Sequence, residues 1–240
     1  MKLQFCSDLH QDNHSKILNI PVLAPNLALI GDIGGAFHTS TYQFLDNISH
    51  EFERVFYIPG NHEYYGHSIA ETDIRLEELC SDLDIELLQK KTVEVDDVLI
   101  SGCTLWSNAT EEGFHKTNDK RWIKEFSRKE MVSLHKDHLS FLQETLSKNK
   151  TIPHVFLTHY APLFDMNGSF QGGLNNCMFA SDLEYMFQPP LTHWLCGHVH
   201  QNLTVLKNNI PCITNCFGDP DEIDIKESFE LGKYIEVGNS

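Results

Sequence analysis

Leu195-Cys196-Gly197-His198-Val199-His200 is the stretch on which the reading of this chain turns. Thr192-His193-Trp194-Leu195-Cys196 reads as a buried strand that breaks at Gly197 and then presents two histidines at i and i+2. On a continuing strand those imidazoles would share one face, whereas just past a strand end they can diverge toward two neighbouring points. Gly-His-x-His alone is a weak pattern in a chain with 14 histidines. It gains weight because other strand-like runs upstream end in a comparable way.

Leu3-Gln4-Phe5-Cys6 stops at Ser7-Asp8-Leu9-His10, and Leu27-Ala28-Leu29-Ile30 stops at Gly31-Asp32. Val55-Phe56-Tyr57-Ile58 ends at Pro59-Gly60-Asn61-His62-Glu63, and Val155-Phe156-Leu157 ends at Thr158-His159. Continuous apolar runs of this length suit strands buried on both faces, as in sheets covered by helices. Between them Phe44, Leu45, Ile48 and Phe52 recur at helical spacing, and Ile69, Leu76, Leu79 and Leu83 make the stripe of a second helix from about Ser68. The rhythm of strand, loop, helix and strand predicts a layered α/β fold. Parallel strands deliver their C-terminal ends to one edge. Asp8, His10, Asp32, Asn61, His62, His159, His198 and His200 are therefore expected at one place.

Elsewhere, Val93-Glu94-Val95 and Val98-Leu99-Ile100 flank Asp96-Asp97 as a hairpin, and a second hairpin turns at Lys207-Asn208-Asn209. Tyr234-Ile235-Glu236-Val237 reads as a last strand. Ser127-Arg128-Lys129-Glu130 is a capping box opening a helix with Met131, Leu134, His138, Leu142 and Leu146 on one face, and Ser181-Asp182-Leu183-Glu184 reads as a second box. The loop from Asn167 to Cys177 is glycine-rich and reads as mobile. The chain is expected to be one domain over residues 1–240, with an irregular, lid-like insert at about 104–126. Inside that insert lies Asn118-Asp119-Lys120-Arg121-Trp122. Arginine's planar fork can hold two phosphate oxygens, which makes Arg121 a candidate substrate contact. Trp122 could pack beside a ring; the plainer alternative is two solvated cations and a core tryptophan.

The chain is acidic, with 18 Lys+Arg against 34 Asp+Glu and a formal charge of −16. Such a surface repels polyanions, so long nucleic acid and anionic membrane are not expected partners. No apolar run approaches the ~20 residues that span a bilayer, and the N-terminus lacks a signal-peptide layout. Seven cysteines without a CxxC pair read as buried thiols in a reducing compartment, so a cytoplasmic location is expected. Imidazole and carboxylate without thiolate favour Mn, Fe, Zn, Co or Ni over Mg or Ca. Cations held there would add positive charge that can attract a phosphate to an acidic protein, and would activate a bound water.

The five blocks Asp-x-His, Gly-Asp, Gly-Asn-His-Glu, Thr-His and Gly-His-x-His, in this order, resemble the calcineurin-like metallophosphoesterase family, and most closely its small bacterial or phage-type members. The likeness runs from Leu3 to about His200. It implies a four-layer sandwich, two packed mixed β-sheets flanked by helices. It also implies two divalent ions, with manganese favoured: one on Asp8, His10, His200 and a bridging Asp32, the other on Asp32, Asn61, His159 and His198. His62 would be a non-ligand that assists the leaving group. The reaction implied is hydrolysis of a phosphodiester or phosphomonoester of modest size by a metal-bridging hydroxide. Tyr160 stands where close members often carry a second histidine, Gln11-Asp12 where they often have Leu-Glu, and Asn215-Cys216-Phe217-Gly218-Asp219 only loosely matches their Asn-Pro-x-Gly-Tyr. These departures leave the substrate open, with a nuclease, a nucleotide pyrophosphohydrolase or a silent scaffold as alternatives. The filled ligand positions weigh against the scaffold, and oligomeric state is not legible. The remaining histidines, His14, His38, His50, His67, His115, His135, His138, His154 and His193, are expected in ordinary surface or core roles.

Overall fold

The apolar runs that end in polar residues become neighbouring parallel strands. The computed structural model describes residues 1–170 and 176–238, so the centre of the loop read as mobile, 171–175, lies outside the described residues. In the first sheet β1 (Lys2–Cys6), β2 (Asn26–Ile30), β3 (Arg54–Ile58) and the two-residue β4 (Glu86–Leu87) pair in parallel. The second sheet contains β5 (Lys91–Val95), β6 (Val98–Cys103), β7 (His154–Thr158), β8 (Leu191–Cys196), β9 (Thr204–Lys207) and β10 (Ile210–Thr214), in the order β5-β6-β7-β8-β10-β9. The final strand, β11 (Tyr234–Glu236), lies antiparallel to β1 at the edge of the first sheet. Both hairpins form where expected. Asp96 and Asp97 take φ of 51° and 59°, and Asn208 and Asn209 take 49° and 64°. Two left-handed residues are what a tight hairpin turn requires.

Alternation along the strands sorts their side chains into layers. Leu3, Phe5, Ala28, Ile30, Phe56 and Ile58 meet Val98, Ile100, Val155, Leu157 and Leu195 between the sheets. The opposite face of the first sheet, with Leu27, Leu29, Val55 and Tyr57, buries Phe44, Leu45, Leu76 and Leu79. Those four belong to α1 (Thr39–Glu51) and α2 (Ile69–Asp82). On the outer face of the second sheet Phe156, Trp194 and Cys196 pack with Met131, Leu142 and Leu146. These come from the helix over Arg128–Lys148. The result is the expected helix, sheet, sheet, helix sandwich.

Between β6 and that helix, the insert forms α3 (Glu111–Lys116) and α4 (Asp119–Trp122), so the Arg128–Lys148 helix is α5. The insert is anchored, since Leu105, Trp106, Ala109, Phe114, Ile123 and Phe126 are all buried in the core. Two histidines of α5 grip its second residue: His135 Nδ1 donates to Leu105 O at 3.1 Å, and His138 Nδ1 accepts from Leu105 N at 3.0 Å. Burial holds His138 down to about 3, which keeps that nitrogen an acceptor. Ser127 caps α5 by accepting from Glu130 N at 3.2 Å. The Glu130 side chain does not bond back to Ser127 N, so that box is half made, and the second expected box is not made at all. The helix near it is one short turn, Glu184–Met186, whose cap position is Leu183. Ser181 N instead donates to Ala161 O at 2.9 Å, which holds the chain extended there.

Candidate metal centre

The C-terminal ends of β1, β2, β3, β7 and β8 open onto one edge and bring the eight expected residues together. Asp8 and His10 follow β1, Asp32 follows β2, Asn61 and His62 follow β3, His159 follows β7, and His198 and His200 follow β8. Backbone bonds lace these loops: Asp8 N donates to Gly31 O and His10 N to Asp32 O, both at 3.0 Å. His198 N donates to Asp8 Oδ1 at 3.0 Å. Asp8, His10, Asp32, His198 and His200 all have left-handed backbones, with φ between 42° and 67°. That region is uncommon for residues other than glycine and concentrates at functional sites. Gly60 lacks a side chain for a reason visible here, because a Cβ would overlap Asp32 Oδ1 and His159 Nε2.

The donor atoms converge in pairs. His10 Nε2 and His200 Nε2 face each other at 3.2 Å, and His200 Nε2 is 3.4 Å from Asp8 Oδ1. His159 Nε2 is 3.3 Å from Asp32 Oδ2. Asp8, His10 and His200 form one group whose donor atoms lie within 4.8 Å of one another; Asp32, His159 and His198 form another. His62 Nε2 is 3.9 Å from Asp32 Oδ2, close enough to group with Asp32 and His10 as well. Its ring stacks on Tyr65 at 4.2 Å and meets His10 edge-on at 4.5 Å.

Hydrogen bonds choose which ring nitrogens face inward. His159 Nδ1 donates to Ile30 O at 2.9 Å, so Nε2 is left for the centre. His200 Nδ1 pairs with Glu222 Oε2, leaving its Nε2 toward Asp8 and His10. Burial opposes ionisation of Asp8, but the hydrogen bond and charge of His200 hold its carboxyl well below the usual range. Asp32 is likewise held low against its burial, chiefly by His159. In return, and despite burial, Asp32 raises His159 to about 9, while Asp8 and Glu222 raise His200 to about 11. Burial, then the His159 charge, push His198 down to about 3.

This donor set fits divalent cations. Buried Asn61 Oδ1 has no hydrogen-bond partner, and His159 Nε2 has none beyond its 3.3 Å approach to Asp32 Oδ2. Buried polar atoms are rarely left so, and an amide oxygen and an imidazole nitrogen are ready ligands. Two imidazole nitrogens sharing one ion through ~2.1 Å bonds lie ~3.0–3.4 Å apart, the spacing of the His10 and His200 pair.

Three carboxylates carry the arrangement without having been singled out from sequence. Glu63 is fully buried and accepts from Asp32 N (3.0 Å), Ile33 N (2.7 Å), Gly60 N (2.7 Å) and Tyr57 OH (2.8 Å), tying the β2 and β3 loops together. Burial and then Asp32 push its carboxyl up to about 7 against those donors. Its place in the Gly-Asn-His-Glu block was the available signal. Asp119, inside the stretch read for Arg121, bonds Asn61, and Glu222, from a segment with no signal of its own, bonds His200.

A cleft of about 370 Å³ opens over the centre. Asp32, Asn61, His62, His198 and His200 line its polar end, Lys116, Thr117 and Asn118 one wall, and Met178, Phe179 and Val199 an apolar surface. The structure does not bring Arg121 into this lining; it sits exposed in the last turn of α4, and Lys116 is the cation in the wall. Trp122 is half-exposed rather than core and stacks at 6.5 Å on Tyr65.

A two-sheet sandwich with carboxylate, amide and imidazole groups gathered at its strand ends is the architecture of a metallophosphoesterase. The chain belongs to the calcineurin-like phosphoesterase family, which it matches over residues 1–202. It is 32% identical over 237 residues to an uncharacterized protein of Acanthamoeba polyphaga mimivirus, covering 88% of this chain and 83% of that one. Its fold is similar to that of the phosphopantetheinyl hydrolase of Mycobacterium tuberculosis, with a TM-score of 0.82 at 15% identity, over 98% of this chain and 95% of the other. A Thermus thermophilus protein is similar at a TM-score of 0.58 and 16% identity, over 99% and 98% of the two chains.

Proposed function

We propose that this chain is a dinuclear metal-dependent phosphoesterase that hydrolyses a phosphodiester or phosphomonoester of modest size. Asp8, His10, Asp32 and His200 would hold one ion and Asp32, Asn61, His159 and His198 the other, with manganese the first metal to try. Bound divalent ions would supply the Lewis acidity and the activated water that phosphoryl transfer needs. The observation that carries the reading is the convergence of seven donors, with Asn61 Oδ1 buried and without a hydrogen-bond partner.

The protein's own groups have separable tasks. Lys116 in the cleft wall draws an anionic substrate to an otherwise acidic protein. Met178, Phe179 and Val199 receive the apolar part of the ester. His62, less buried than Asp32 and lining the cleft, gives a proton to the departing oxygen. Its loop is held in place by donation from His62 N to Asp32 Oδ1 at 2.9 Å. The free and mostly buried thiols support a reducing, cytoplasmic setting. Among the described residues no helix is long and apolar enough to cross a membrane.

The test is hydrolysis of bis-p-nitrophenyl phosphate, p-nitrophenyl phosphate and a phosphopantetheinyl ester by chelated protein, with and without added manganese. The last substrate is included because of the fold shared with the mycobacterial hydrolase. Turnover of at least one ester that depends on the added ion supports the reading. No ion binding and no turnover with manganese, iron, zinc, cobalt or nickel would overturn it in favour of a scaffold.

A further inference from the structure

We propose that Asp119 is the positioning residue of Asn61, fixing which end of that amide faces the centre and so making the His159/His198 ion depend on the 104–126 insert. The inference rests on the reading of Asn61 as a ligand and assigns a role to a residue outside the seven donors.

An asparagine amide has nearly the same shape after a half-turn about its last bond, yet only its oxygen can bind a cation. Something must choose the orientation. Asn61 Nδ2 donates to Asp119 Oδ1 at 2.9 Å and to Tyr65 OH at 3.2 Å, so its N–H groups point toward the insert. Asn61 Oδ1, at the other end, is buried without a hydrogen-bond partner. An ionised carboxylate only accepts, so it pairs with the NH₂ end and rejects the carbonyl end. Neither a hydroxyl nor an amide at position 119 would discriminate in that way.

Asp119 is itself fixed. It is 3% exposed, and it accepts from Tyr65 OH at 2.9 Å and from Tyr160 OH at 3.2 Å. Tyr160 in turn lies 4.0 Å from the His198 ring, so the same cluster touches two donors of one group. The group of Asp8, His10 and His200 has no such contact with Asp119 among the described residues. The expected effect is therefore selective for one ion.

The experiment counts ions per chain and titrates manganese into chelated wild-type protein, Asp119→Asn, Asn61→Asp and the double exchange Asn61→Asp/Asp119→Asn, with thermal melts of each. Wild type should bind two ions. Asp119→Asn, whose new NH₂ can bond Asn61 Oδ1 and turn the amide over, should keep one ion and bind the other ~10–100-fold more weakly. The double exchange should restore the second ion. It again places a carboxylate beside the centre, with one amide N–H to hold it, the other N–H facing the Tyr65 hydroxyl as acceptor, and the amide oxygen accepting from Tyr160 OH. If wild type fails to bind two ions, the ligand reading falls. If wild type binds two and Asp119→Asn binds both with unchanged affinity, the ligand reading stands and this inference is overturned. Loss of both ions in a folded Asp119→Asn would also overturn it, as would a folded double exchange that still lacks the second ion. Should Asp119→Asn fail to fold, the double exchange decides alone.

Discussion

The carboxylate of Glu222 accepts a hydrogen bond from His200 Nδ1 at 2.5 Å. Glu222 stands just before the short helix α6 (Ile223–Ser228), twenty-two positions beyond the histidine it orients. A carboxylate behind a ligand histidine fixes its tautomer and raises its basicity. Glu222→Gln should weaken the ion on Asp8, His10 and His200 by ~10–100-fold and spare the ion on Asn61, His159 and His198. Stepwise manganese titration separates the two; equal weakening at both would remove Glu222 from this role.

Asp32 lies 3.3 Å from His159 Nε2 and also groups with His10, whose donor atom is within 4.8 Å of its carboxylate. Asp32→Asn removes its charge and is expected to reduce occupancy of the pair and to abolish most turnover. Elemental analysis beside kinetics checks this, and two tightly held ions with near-normal turnover would refute the bridging assignment.

For His62 the leaving group is the diagnostic. A proton donor matters most when the departing alcohol is a poor leaving group, and such help is worth ~10²–10⁴-fold. His62→Ala should lose that much on alkyl esters and far less on nitrophenyl esters, with metal content unchanged. Equal losses on both classes would point to a ligand or structural role instead, which its nearness to His10 and Asp32 makes a real alternative.

Ion uptake should release protons. Without a bound ion, His159 holds a proton up to pH about 9 and His200 up to about 11, and ligation at Nε2 displaces both. Metal affinity should therefore rise with pH across the neutral range, with about two protons released per chain at pH ~7 by calorimetry in buffers of differing ionisation heat. Both histidines are raised above the ordinary value of ~6.5. Their protons stabilise the ion-free fold fully below that pH, and the contribution is lost as pH climbs through about 9 and then about 11. Melting temperatures of chelated protein should fall along that course, while a flat profile would contradict the paired state described.

Two cations of the insert can be told apart by kinetics. Lys116 lines the cleft and Arg121 does not. Lys116→Ala should raise KM a few-fold for an anionic ester and leave kcat little changed, and Arg121→Ala should do less. The reverse ranking in properly folded variants would restore Arg121 as the phosphate contact.

Much of this was legible because the signals were local. Asp96-Asp97 and Asn208-Asn209 sit between apolar pairs and demand left-handed turns. Asp8, His10, Asp32, Asn61, His62, His159, His198 and His200 each follow an apolar run, and parallel strands can only gather such ends on one edge. Asp119 was harder to see. In an acidic chain Lys120 and Arg121 attract notice, whereas the partner of Asp119 lies 58 positions away and only the folded chain brings them together. Ser181 misled for the converse reason: its spacing to Glu184 fits a box, but a bridge to Ala161 holds the backbone extended. β4 is two residues long, too short for any periodicity.

The left-handed backbone at Asp8, His10, Asp32, His198 and His200 has an evolutionary corollary. Such conformations disfavour folding by ~1–3 kcal/mol per residue, and glycine would relieve them. A lineage that used this fold only as a platform would drift toward glycine there and become sturdier. A chain with aspartate and histidine at all five positions gives up that durability, as the ligand roles proposed for those side chains would require.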